Sequence, residues 1–148
     1  MASFNPNKTI DLLLVEDNPG DVRLTREALR EAPLPVNLSV ASDGVEALDF
    51  VYRRGKYKNA PRPDLILLDL NLPRKNGPEV LAEIKTDPDL KRIPVLIMTT
   101  SQEPRDVDTA YSLNANCYIT KPITLDEFMN VVQSIETFWL KTAVLPQP

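Results

Sequence analysis

Three carboxylates, a hydroxyl pair and an ammonium each stand just past a short apolar run. Glu16 and Asp17 follow LLLV, Asp69 follows LILL, Thr99 and Thr100 follow VLIM, and Lys121 comes just after CYIT. If those runs are neighbouring strands, the polar residues converge. Two like unit charges ~4 Å apart repel by about 4 kcal/mol at an effective dielectric of 20. A cluster of this kind therefore needs a proton on one carboxyl or a cation among them. Lys121 offsets one charge, and a hard divalent ion such as Mg²⁺ suits the remaining oxygens. A carboxylate so placed can act as a nucleophile and become an aspartyl phosphate. The transferred group spreads charge over three equatorial oxygens. Mg²⁺ can take one, Lys121 another, and the Thr99 hydroxyl with a backbone N–H the third. Asp69 ends a central strand and is the expected nucleophile, which leaves Glu16 and Asp17 as metal ligands, directly or through water.

Convergence depends on the elements between these residues. Four runs are almost continuously apolar: Ile10 with Leu12 to Val15, Leu65 to Leu68, Ile93 to Met98 around Pro94, and Cys117 to Ile119. Such runs suit strands buried on both faces of a parallel sheet. A fifth, Val36 to Val40, alternates and predicts a strand with one wetter face. Helical patterns fill the gaps. The first runs from Gly20 to Ala32, with Asn18 as N-cap and Pro19 in the first turn. The second follows Asp43, with Glu46 at capping-box spacing and Gly55 as its stop. The third spans Pro78 to Thr86, and the fourth runs from Pro104 to Asn114. The last runs from Thr124, with Glu127 at capping-box spacing, to Leu140. Alternating strands and helices predict a doubly wound α/β fold with a five-stranded parallel sheet. In such a sheet, ligands bind outside the carboxyl ends of the strands. The expected division is an N-terminal extension over 1–9, one domain over 10–140 and a tail over 141–148.

Composition narrows the chemistry. The 148 residues contain no histidine, which excludes Ser-His-Asp and Cys-His catalysis and makes this chain unable to donate phosphate from histidine. With one cysteine, Cys117, there is no internal disulfide, a zinc site is disfavoured, and a reducing cytoplasm is the expected location. Cys117 reads as a small apolar residue. A net charge of −4 argues against nucleic-acid binding. No apolar run reaches the ~20 residues of a membrane helix.

Four motifs, LLVEDN, LILLDLNLP, PVLIMTTS and YITKP, resemble the receiver domain of bacterial response regulators, in order and over Ile10 to Leu140. The resemblance implies a flavodoxin-like sheet of order 2-1-3-4-5, a common order among doubly wound sheets. It makes Glu16 and Asp17 the acidic metal pair, Asp69 the phosphoacceptor and the Asn71 backbone carbonyl a further Mg²⁺ ligand. Thr99 and Tyr118 become the switch pair, and Lys121 the phosphate-contacting lysine. Pro122 matches a proline whose preceding peptide bond is commonly cis in the family. The acidic pair is Glu-Asp where the wider family has Asp-Asp. LLVEDNPGDVRLTREAL, DLNLPRKNGPEVLAEIK and SIETFWLKT further resemble single-domain regulators paired with bacterial phytochrome histidine kinases. That implies such a kinase as partner and a homodimer built on the fourth and fifth helices, fifth strand and C-terminal extension.

The function implied is a stand-alone regulator. It would accept phosphate on Asp69 from a histidine kinase, turn over at most slowly on small donors, and signal through the helix 4, strand 5 and helix 5 face. Two alternatives compete with it. A Mg²⁺-dependent aspartyl phosphatase of the haloacid-dehalogenase type would carry D-x-D-x-T in its first core strand and the acidic pair later, the reverse of this order. A phosphorylation-independent scaffold would be expected to lack the acceptor or the lysine. Phe138 and Trp139 are adjacent on the last helix and cannot share a face, so one is expected to be exposed, as a contact surface or in an intramolecular role.

Overall fold

The computed structural model describes residues 9–31 and 34–147. Five strands, β1 (Ile10–Val15), β2 (Val36–Ala41), β3 (Leu65–Leu68), β4 (Val95–Thr99) and β5 (Cys117–Thr120), form one parallel sheet in the order β2-β1-β3-β4-β5. Five helices alternate with them: α1 (Pro19–Arg30), α2 (Gly44–Tyr52), α3 (Gly77–Thr86), α4 (Pro104–Ser112) and α5 (Leu125–Ile135).

Period-two alternation along the apolar strands divides the core in two. Leu13, Val15, Ile66, Leu68, Val95 and Ile97 pack with residues of α2, α3 and α4. Leu12, Leu14, Leu65, Leu67, Leu96 and Met98 point the other way and pack with residues of α1 and α5. Burying both faces is what makes these strands apolar throughout. Each fully buried Leu or Ile contributes about 1.5–3 kcal/mol. Edge strand β2 is only half-buried along most of its length, in keeping with its alternating sequence.

Helix starts follow local chemistry. Asn18 Oδ1 accepts from the N–H groups of Gly20 (2.9 Å) and Asp21 (3.2 Å), which begins α1 immediately after the acidic pair. Asp43 caps α2 by accepting from Glu46 N–H at 2.7 Å, but Glu46 turns back to Ser42 N–H (3.0 Å) and Tyr57. Asn76 and Glu79 form a reciprocal capping box at α3, a pair the sequence pattern did not single out. Thr124 accepts from Glu127 N–H at 3.2 Å to open α5.

Several boundaries differ from expectation. The end expected for α1 at Ala32 lies outside the described residues. Helix α2 stops at Arg53, not Gly55, and Arg53 takes a left-handed φ of 57°. The early stop frees Gly55–Tyr57 to form a short 3₁₀ turn, which lays the Tyr57 ring 5.3 Å from Phe50. The last helix is α-helical only to Ile135 and continues as a π-helical segment over Glu136–Thr142. In that segment Leu140 is buried, Phe138 is exposed, and Trp139 packs partly on the core, with the two rings edge-to-face at 5.5 Å.

Two glycines set how closely helices approach the loop after β3. A Cβ on Gly77 would lie 2.5 Å from both the Asp69 carbonyl oxygen and Leu70 Cα, and one on Gly44 would lie 1.9 Å from the Lys75 carbonyl oxygen. Gly77 N–H also donates to Leu70 O at 3.0 Å. Those backbone atoms cannot swing aside as a side chain can, so Gly77→Ala should lower stability by about 1–3 kcal/mol in urea unfolding. An unchanged midpoint would show that α3 does not clamp this loop.

Candidate functional site

All four polar strand ends meet at the carboxyl edge. Asp69, the first residue after β3, is 6% exposed, and Glu16, the first after β1, is 3% exposed. Carboxylate oxygens of Glu16, Asp17 and Asp69 lie within 4.8 Å of one another, with Asp17 on the solvent side. Lys121, just beyond β5, extends its ammonium among them. It donates to Asp69 Oδ2 at 2.9 Å, to Asp21 Oδ2 at 2.8 Å, and to Glu16 Oε1. Asp21, in the first turn of α1, is the member that the strand-end argument missed. Its only sequence signal is its place as an acid in the first turn of α1.

Backbone donors hold the acids. Asn71 N–H donates to Asp69 Oδ1 at 3.1 Å, and Asn18 N–H to Glu16 Oε2 at 3.2 Å. Thr99 is fully buried at the end of β4, and its Oγ1 lies 3.4 Å from Asn71 Nδ2. Tyr118 packs against the core on the α2–α3–α4 side and donates from its hydroxyl to Ser101 O at 2.9 Å. The ring is half-buried in this arrangement. Thr100 is exposed.

Pro122 corrects the sequence reading. Among the described residues no peptide bond is cis, so the Lys121–Pro122 bond is trans. Trans is the favoured X-Pro isomer by about 0.5–1 kcal/mol. The lysine needs no cis bond to point inward, because Lys121 N–H donates to Thr99 O at 2.7 Å and its ammonium is drawn by three carboxylates.

One ammonium cannot neutralise this many acids. Burial pushes the Glu16 carboxyl up to about 7; the Lys121 hydrogen bond opposes that shift and the Asp69 charge adds to it. Burial works against the Lys121 charge as well, but its hydrogen bonds to Asp21, Glu16 and Asp69 outweigh it and hold the ammonium protonated well above its ordinary range. The site therefore keeps its lysine charged and makes Glu16 easier to protonate than an exposed glutamate. The carboxylate trio is all oxygen, and its excess negative charge fits a hard divalent cation.

The sequence matches the response regulator receiver domain over residues 12–133. The chain belongs to this family. Among its relatives, the receiver protein Response regulator Rcp1 of Synechocystis sp. is 52% identical over 142 residues, covering 96% of this chain and 95% of Rcp1. A crystal structure of the Mn²⁺-bound form of Rcp1 superposes with a TM-score of 0.91 at 51% identity, covering 93% of this chain and 99% of that one. The phosphorylated cyanobacterial phytochrome response regulator RcpA gives a TM-score of 0.92 at 51% identity, over 95% of this chain and all of its own (100%). The sheet order 2-1-3-4-5 is the flavodoxin-like order of the receiver fold.

The raised Glu16 carboxyl gives this receiver a pH signature. Its folded pKa, about 7, lies above the ordinary 4.5, so the folded chain binds the proton more tightly than the unfolded one. The stability it contributes is complete below about pH 4.5 and is lost as pH rises through about 7. In the presence of a chelator, the melting temperature should fall across that window, and Glu16→Gln should flatten the fall. An identical slope in both proteins would place the shared proton elsewhere.

Proposed function

We propose that this receiver domain accepts a phosphoryl group on Asp69 from the phosphohistidine of a histidine kinase. The partner we favour is a phytochrome-type light sensor, as the likeness to RcpA suggests. The observation that carries the reading is the contact of Lys121 with Asp69 inside an acidic trio of receiver spacing. Asp69 is buried, bonded at both oxygens and placed at a strand end, so its position is fixed before a donor arrives. In the transfer, an Asp69 oxygen bonds to phosphorus while the donor's N–P bond breaks and the nitrogen takes up the leaving electron pair. Lys121 and Thr99 are then the chain's donors to the phosphoryl oxygens.

Glu16, Asp17 and Asp69, with the Asn71 carbonyl, are the proposed ligands of Mg²⁺, and Rcp1 binds Mn²⁺ in its crystal. A bound divalent cation supplies charge neutralisation at the phosphoryl oxygens. The chain's own chemistry is then limited to slow self-phosphorylation from small donors and slow loss of the phosphate. Signalling would use the α4, β5 and α5 face, through the Thr99 and Tyr118 pair. Ser101 links Tyr118 to the start of α4, because its carbonyl accepts from Tyr118 and its hydroxyl bonds Asp106. A cytoplasmic location fits a partner of this kind, and among the described residues no helix is long and apolar enough to cross a membrane.

A homodimer through α4, β5, α5 and the C-terminal segment is part of the same proposal. Exposed Tyr111, Leu125, Phe138 and Val144 supply apolar surface on those elements. Truncation after Ser134 would be a poor probe, since it removes buried Ile135 and Leu140. Phe138→Asp keeps the core, and should move the sedimenting species from dimer to monomer; a coefficient equal to that of the unmodified chain would remove Phe138 from the interface.

Phosphotransfer from a radiolabelled phytochrome-type histidine kinase tests the main reading. The unmodified chain should gain label with Mg²⁺ and lose that gain with a chelator, and Asp69→Asn should stay unlabelled. Label on the Asp69→Asn chain at the unmodified rate would overturn the assignment.

A further inference from the structure

The lysine at this site is held by more acids than a cation and a phosphoryl group would use. An ammonium has three N–H donors. Lys121 directs all three at carboxylates: one to Glu16, one to Asp69 at 2.9 Å and one to Asp21 at 2.8 Å. Glu16 and Asp69 also belong to the trio whose oxygens lie within 4.8 Å of one another; Asp21 does not. When a cation engages that trio and Asp69 becomes an acyl phosphate, two of the lysine's three partners change. Asp21 is the one that can stay.

Asp21 is built to stay in place. Its N–H donates to the Asn18 cap at 3.2 Å, and its carbonyl accepts from the hydroxyl of buried Thr25 at 2.8 Å. Its side chain is 23% exposed and that of Lys121 is 8% exposed. A lysine ammonium rides on a flexible four-carbon stem, and a buried one without a partner is strongly unfavourable. An acid on the first turn of α1, outside the carboxylate trio, can restrain that stem.

We propose that Asp21 is a positioning residue for phosphoryl acceptance. It keeps one N–H of Lys121 engaged throughout, so that the ammonium stays aimed at the phosphoryl oxygens after Glu16 and Asp69 release it. This rests on the reading of Asp69 as phosphoacceptor.

The test is the rate of Asp69 phosphorylation by acetyl phosphate with saturating Mg²⁺. Asp21→Asn should slow it about tenfold, the size expected for losing one charge-assisted hydrogen bond at the transition state. Asp21→Glu keeps the charge and should recover most of the rate. The decisive arm is Lys121→Met: in that background Asp21→Asn should change the residual rate by less than about twofold, because the group it positions is gone. The Lys121→Met pair also removes the buried unpaired ammonium, so its comparison survives if Asp21→Asn alone loosens the fold. An unaltered rate in folded Asp21→Asn, or an equal loss with and without Lys121, overturns the proposal while Asp69 still takes label. Failure of the unmodified chain to take any label overturns the phosphoacceptor reading and this inference together.

Discussion

One ammonium group ties together chain ends that lie far apart in sequence. Lys121 reaches Glu16 at the end of β1, Asp21 on α1 and Asp69 at the end of β3, while its own N–H is bonded to the last residue of β4. Everything else at this edge answers to the charge imbalance that remains. Without a counterion, several carboxylates around one lysine are unfavourable at these distances, and burial, with the Asp69 charge adding to it, pushes the Glu16 carboxyl up to about 7. That unfinished balance is what makes the edge receptive to a divalent cation and then to a phosphoryl group. The acids are close because the fold holds them there, and their repulsion is stored as binding capacity.

What holds them is the two-sided core. Strands β1, β3 and β4 are buried on both faces, so their ends move little relative to one another. The loop leaving β3 is then pinned by backbone contact with Gly77 and Gly44, which leaves Asp69 and Asn71 with a single arrangement. On the other side of Asp69 lies the β4–α4 connection. Thr99 contacts Asn71 at a long 3.4 Å, and the segment after it is tied to β5 by the bond from Tyr118 to the Ser101 carbonyl. A fixed acceptor beside a β4–α4 connection that is bonded to both β5 and α4 suits a device in which a change at Asp69 is felt at α4.

The sequence made the sheet legible because its strands are short, apolar and bounded by polar residues. Glu16, Asp17, Asp69, Thr99 and Lys121 were legible for the same reason: each marks where an apolar run stops. Asp21 was hidden because it belongs to a helix turn, where exposed acids are common, and only the tertiary approach of Lys121 gives it a role. Gly77 and Gly44 were hidden because a steric need depends on the neighbouring backbone. The end of α2 at Arg53 accompanies the packing of Tyr57 on Phe50, and the π-helical turns after Ile135 accompany the burial of Leu140, tertiary contacts that local propensity does not encode. For Pro122 the family pattern pointed to a cis bond, whereas hydrogen bonding alone aims this lysine.

In the function proposed here, this charge-imbalanced edge carries an acyl phosphate on one side chain, Asp69. The most direct measurement is reductive trapping: phosphorylate the chain with Mg²⁺, reduce with borohydride, digest, and map the reduced residue by mass spectrometry. An acyl phosphate on Asp69 is reduced at its carbonyl to the alcohol, so the account predicts homoserine in place of Asp69 and aspartate retained at Asp17 and Asp21. Homoserine at Asp17 or Asp21, with Asp69 intact, would contradict it.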